Sequence, residues 1–152
     1  MPLKGVPDII HADFLYQLAR MGHGDYLVIA DSNFPSDATA AHCVHKTVIR
    51  AHGTTADILA DILQLMPLDQ YVPLPIKVMD RVPADKERDL KVPAYEAISI
   101  AAWGKDHASY KDKQLDYVER FEFYEKAKGA FFVIQSDDNS LYANLIVSKG
   151  VI

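Results

Sequence analysis

The chain has 152 residues, 49% of them hydrophobic and 24% charged, which is enough for one compact domain with its own core and too little for two. A net charge of -5 and an isoelectric point near 5.6 argue against nucleic acid or an anionic membrane surface as partner. No apolar run approaches the roughly 20 residues of a membrane helix, the N-terminal MPLKGVPDII lacks the features of a secretory signal, and the single Cys43 cannot form an internal disulfide, so the cytosol is the expected compartment.

In chain order, His11 to Arg20 (HADFLYQLAR) places Phe14, Leu15 and Leu18 on one side at helical spacing, with Gly22 where a left-handed cap would sit. Tyr26 to Ala30 (YLVIA) is a short apolar run bounded by Asp25 and Asp31, and reads as a central strand covered on both faces. Asn33 to Lys46 shows no clear period and is expected to be a long loop. Thr47 to Ala51 predicts a strand, and TTADILADILQLMP predicts an amphipathic helix with a Thr cap, stopped by Pro67.

Pro75 to Arg81 predicts another strand, the charged stretch ADKERDLK a solvated segment, and Val92 to Trp103 a helix opened by Pro93. Tyr117 to Phe121 reads as a short strand leading into a helical turn around Phe123 to Lys128. Ala130 to Ser136 and Leu141 to Ser148 flank Asp137-Asp138-Asn139-Ser140 and are expected to pair as a hairpin. Interleaved strands and helices predict a single-domain α/β fold, a mixed β-sheet flanked by helices over residues 1–152.

The chemistry begins with what is missing. There is no GxGxxG, P-loop, GxSxG elbow or CxxC pair, and His42, Cys43, His45 and His52 follow no familiar zinc spacing, so neither a cofactor nor a metal is expected. In MGHGDYLVIADSNFP, His23 stands between two glycines. One reading makes it part of an exposed turn, because glycine supplies backbone freedom. The other makes it a proton carrier, since imidazole ordinarily titrates close to neutral pH. Asp31 ends the intervening strand, roughly 25 Å away if that chain is extended, too far for a simple dyad within one copy.

Arg120-Phe121-Glu122-Phe123-Tyr124-Glu125 and Tyr142-Ala143-Asn144 concentrate rings, phenols, a guanidinium and an amide. Such groups pack on sugar faces and read hydroxyls. They fit equally a strand with Phe121 and Phe123 turned to a core and Arg120 paired at the surface.

Together, LARMGHGDYLVIADSNFP, VIRAHG, PLDQYVP, RFEFYEKAKGAF and LYANLIVSKGV resemble the L-fucose mutarotase and D-ribose pyranase family, most nearly its animal fucose mutarotases. The resemblance runs from about Leu3 to Val151 and is weakest over 36–46 and 91–116. It implies interconversion of the α and β anomers of L-fucose by acid-base ring opening and closure, with pyranase activity on ribose as a second reaction open to the chain, and no cofactor. It also implies His23 as the catalytic acid and Asp31, Asp69, Met79, Arg120, Tyr124, Tyr142 and Asn144 as substrate contacts. The family further implies a homo-oligomer, up to a decameric ring, with active sites between subunits. The alternative reading is a catalytically inactive sugar-binding or regulatory protein of the same fold.

Two positions depart from the family pattern: Ala143 replaces the glycine of Y-G-N, and His52 the aspartate of R-A-D-G. If that glycine is needed for positive φ, Ala143 is expected to weaken sugar binding.

Overall fold

The computed structural model describes residues 3–104 and 114–152. Among these, six strands form one sheet in the order β2 (Ile49–Arg50), β5 (Val133–Gln135), β1 (Tyr26–Ala30), β6 (Leu145–Ser148), β3 (Ile76–Met79) and β4 (Asp116–Val118). β1 runs parallel to β5 and antiparallel to β6, β2 is parallel to β5, and β4 is parallel to β3. The sheet is mixed, as expected.

β1 alternates between two cores. Leu27 and Ile29 face one layer, with Phe14 and Leu18 of α1 (Ala12–Arg20), Ile58, Leu59 and Ile62 of α3 (Thr55–Ile62), and Ile98 of α5 (Pro93–Trp103). Val28 and Ala30 face the other, with Phe123 and Ala127 of α6 (Arg120–Lys128), Ala40 of α2 (Ser36–Ala40) and Cys43. A strand with no polar face requires helices on both sides, which explains the unbroken apolar run YLVIA.

Several local boundaries differ from the sequence expectation. β5 and β6 do not form a hairpin, because β1 lies between them and pairs with both. Their connection folds back over the ends of β1 and α3: Ser32 N–H donates to the Asp138 carbonyl at 2.8 Å and Thr55 N–H to the Asp138 carboxylate at 3.0 Å. The expected loop 33–46 contains α2, which is too short to display a period. α1 ends on an extended Met21 (φ -67°, ψ 135°) without a left-handed cap at Gly22, and positive φ falls at Gly24 (84°).

The strand expected over 117–121 stops at Val118. The Glu119 carboxylate accepts from Phe121 and Glu122 N–H at 2.9 and 3.1 Å and starts α6 there. At helical spacing the two phenylalanines part: Phe123 is fully buried and Phe121 exposed. The charged stretch is solvated but forms α4 (Pro83–Glu87), with no buried residue. α3 is capped as expected, Thr54 accepting from Asp57 N–H at 3.1 Å, and α5 opens on Pro93.

Candidate functional site

The polypeptide leaves the buried end of β1 at Asp31, beside Asn144 at the start of β6. These two side chains are 3% and 4% exposed. Asp31 N–H donates to Asn144 Oδ1 at 2.8 Å, while Asn144 Nδ2 donates to Asp31 Oδ2 at 2.9 Å, a reciprocal pair that locks the amide orientation. Asn33 N–H also donates to Asp31, at 2.9 Å. Burial is the largest influence on the Asp31 carboxyl and pushes it above the usual carboxylate range, against the pull of Asn33, Asn144 and the Ala143 N–H.

Above this floor opens a cleft of about 370 Å³, walled by Phe34, Met79, Arg120, Tyr124, Tyr142 and Asp85 among others. That volume lies within the roughly 300–1,000 Å³ of small-molecule sites. Phe34 fixes Tyr124 by a tilted ring contact at 5.6 Å, and Arg120 Nε donates to the Tyr124 hydroxyl at 3.2 Å with its guanidinium 5.6 Å over that ring. Tyr142 carries the strained conformation, φ 58°, and its hydroxyl donates to Asp85 and accepts from Val82 N–H. The hydrogen bond from Tyr142 is the main reason the Asp85 carboxyl is held below its ordinary range.

Asp31, Met79, Arg120, Tyr124, Tyr142 and Asn144 thus meet in one cleft. Positive φ belongs to Tyr142 and not to Ala143, which is fully buried, so the alanine meets no conformational obstacle. His52 pairs with Asp137 at 3.0 Å on the surface, outside the cleft. Sequence reasoning missed Asp85 and Phe34 as walls. Asp85 was hidden within a charged run, and Phe34 could have been found from its place in DSNFP.

His23 is elsewhere. It precedes β1, whereas Asp31 follows it, so the strand separates them. His23 Nε2 meets Asp69 Oδ1 at 3.1 Å, and the same oxygen accepts Tyr71 N–H at 2.9 Å. Asp69 is 4% exposed and His23 44%. The Tyr71 N–H chiefly, with help from His23, holds the Asp69 carboxyl below its usual range. The Tyr71 ring lies 5.3 Å from the imidazole and is exposed. Asp69 also borders a separate cleft of about 950 Å³ beside Leu68, Gln70 and Trp103. The structure therefore divides the expected site residues into two clusters, with Asp69 joining His23 and not Asp31. Among the described residues, no helix is long and apolar enough to cross a membrane.

Residues 4–152 match the RbsD / FucU transport protein family. The fucose mutarotase of Homo sapiens is 47% identical over 154 residues, spanning 99% of this chain and 94% of that protein. The L-fucose mutarotase of Actinobacillus pleuropneumoniae is 40% identical, spanning 98% and 96%. Among solved structures, the fucose mutarotase from Streptococcus pneumoniae in complex with L-fucose superposes with a TM-score of 0.82 at 36% identity, over 99% of each chain.

Proposed function

Because the chain belongs to the RbsD / FucU transport protein family, we propose that it interconverts the α and β anomers of L-fucose, as an isomerase that needs no cofactor. The observation that carries this reading is the cleft over Asp31 and Asn144. A buried carboxylate and a locked amide offer a fixed hydrogen-bond pattern for hydroxyls, beside the apolar surfaces of Phe34, Met79 and Tyr124. Arg120 and Tyr142 border the same space. Asp31, Asn144, Arg120, Tyr124, Tyr142 and Met79 hold the sugar in this reading.

The reaction is a proton relay. The anomeric hydroxyl loses its proton as the C1 carbonyl forms and the bond from C1 to the ring oxygen breaks, and the ring oxygen takes a proton from His23. Rotation about the C1–C2 bond and the reverse transfers close the other anomer. No oxidant, nucleotide or covalent adduct enters the balance. Positioned acid-base groups contribute about 10²- to 10⁴-fold, which suffices for a reaction that already proceeds in water. In this reading Tyr124, or a water beside it, receives the first proton.

His23 and the cleft lie at opposite ends of β1, which favours a homo-oligomer in which one copy's His23 meets another copy's cleft. Assembly extends up to a decameric ring of single 1–152 domains, working in the cytosol. A buried lone cysteine is consistent with that reducing compartment.

Saturation-transfer NMR between α- and β-L-fucose tests the reading. Wild type should accelerate exchange, and His23→Gln should abolish the acceleration while leaving the circular dichroism spectrum unchanged. Sugar binding without faster exchange in the wild type, or full exchange in the variant, would overturn it.

A further inference from the structure

We propose that Asp85 is a positioning residue of the cleft: through the Tyr142 hydroxyl it holds the turn that delivers the donors of Ala143 and Asn144 to Asp31. The inference rests on the reading of that cleft as the sugar site. Asp85 stands in α4 with its side chain 18% exposed, and both carboxylate oxygens are engaged. Oδ1 accepts from Arg88 Nε at 2.8 Å and lies 2.7 Å from Arg88 Nη2, while Oδ2 accepts from the Tyr142 hydroxyl at 2.5 Å. The phenol in turn accepts Val82 N–H at 3.2 Å. A phenol has one hydrogen to give. With that hydrogen on Asp85, Tyr142 has none for a sugar hydroxyl, and its part in the cleft falls to its ring and its backbone.

The backbone part follows from conformation. A φ of 58° at Tyr142 turns the chain sharply between the exposed Leu141 and the fully buried Ala143. The turn brings two successive residues onto one carboxylate, the Ala143 N–H and the Asn144 amide, the latter at 2.9 Å. Among the described residues, no backbone hydrogen bond fixes Leu141 or Tyr142 themselves. A left-handed residue with a β-carbon persists only where its surroundings hold it, so the anchor is the far end of the Tyr142 ring. The post it is tied to is itself fixed. Asp80 N–H donates to the Val118 carbonyl at 2.8 Å, Arg81 Nη1 to the Leu90 carbonyl at 2.8 Å, and Leu90 N–H to the Asp85 carbonyl at 2.9 Å. These bonds fasten α4 to the ends of β3 and β4.

Removing the post should therefore be felt at Asp31, whose own bonds go to Asn33, Ala143 and Asn144. Asp85→Ala and Tyr142→Phe cut the same link. Each should weaken L-fucose binding roughly three- to tenfold, the worth of one hydrogen bond, and the double variant should bind no worse than the weaker single variant. Asp85→Asn should restore binding to within about twofold of wild type, because an amide keeps a hydrogen bond to the phenol in either orientation. In ¹³C spectra recorded without sugar, the Asp31 carboxyl should titrate at higher pH in both single variants than in wild type, having lost donors that favour its charged form.

Losses that multiply in the double variant, or Asp85→Asn as damaging as Asp85→Ala, would make the carboxylate or the phenol a sugar ligand in its own right and overturn the proposal. Lowered thermal stability with affinity and the Asp31 titration both unchanged would mark a merely structural contact and overturn it too. Should Asp85→Ala fail to fold, Tyr142→Phe, which keeps the ring, carries the titration test alone. That titration needs no sugar. If wild type does not bind L-fucose, the proposed function falls, while a raised Asp31 titration still supports the link and an unmoved one refutes it.

Discussion

At Asp31 a single side chain carries both the charge proposed to bind the sugar and the cost of burying it. Its three donors favour the carboxylate, yet burial outweighs them, so the folded protein holds the Asp31 proton more tightly than the unfolded chain does. Folding then takes up protons here. The contribution of Asp31 to stability is fully present below the ordinary carboxyl range, about pH 4, and is lost as pH rises through the raised value. Against Asp31→Asn, which has nothing to titrate, wild type should lose stability across that window and level off above it. Urea denaturation of both proteins at steps from about pH 4 to about pH 7 measures the gap, and a gap moving in favour of wild type as pH rises would refute the account. Sugar affinity should fall on acidification through the same raised value, since a neutral carboxyl is the poorer acceptor. Next to it, Tyr142 bears the positive φ of this segment, at a cost of roughly 1–3 kcal/mol for a residue with a β-carbon. Its hydroxyl's bonds to Asp85 and Val82 hold it in place.

The connection from β5 to β6 shows how one acidic residue redirects a whole element. Asp138 accepts Thr55 N–H at the start of α3 and Ser140 N–H at 2.8 Å within its own turn, and its carbonyl receives Ser32. These bonds hold 136–144 across the end of β1 and keep β5 and β6 on opposite edges of that strand. Asp138→Ala strands two donors and should destabilise the fold by about 1–2 kcal/mol without changing its secondary structure, as read by urea denaturation and far-ultraviolet circular dichroism. Burial alone would raise the Asp138 carboxyl, but the bonds from Thr55 and Ser140 together outweigh it and hold it below its ordinary range, so the stabilisation is present above the ordinary carboxyl range and is lost as pH falls through the lowered value, and the variant's deficit should shrink in acid. Bonds of this kind also explain what sequence reading reaches. β1, α3 and α5 follow from local period, caps and Pro93, which act within a few residues. A hairpin between the last two runs was the natural local inference, and it failed because β1, far away in the chain, competes for both partners. The motifs around Asp31, Arg120 and Asn144 pointed to one cleft, whereas the contact of His23 with Asp69, 46 residues apart, leaves no trace in spacing.

At the scale of the whole molecule, the two clusters pose a problem of distance. The five residues of β1 alone span about 17 Å at roughly 3.3–3.4 Å per residue, more than one proton transfer can bridge. The strand is packed on both faces, so it cannot bend to bring His23 over Asp31 within one copy. Exposed large apolar residues stand near both ends, Tyr71 beside His23 and Phe121 and Leu141 around the cleft, and a subunit contact would cover them. If the active site joins His23 of one copy to the cleft of another, two variants that are each inactive should rescue one another. His23→Gln keeps its cleft, and Asp31→Asn keeps its histidine. After mild dissociation and random reassembly at equal amounts, about a quarter of the composite sites should receive an intact half from each side, and exchange should recover to about a quarter of the wild-type rate. Arg120→Ala, at the exposed rim of the cleft, replaces Asp31→Asn should that variant fail to assemble. Native mass spectrometry of the mixture verifies that hybrid oligomers have formed. Hybrids without recovered exchange, or full wild-type exchange in a protein shown to be monomeric, would refute the shared site.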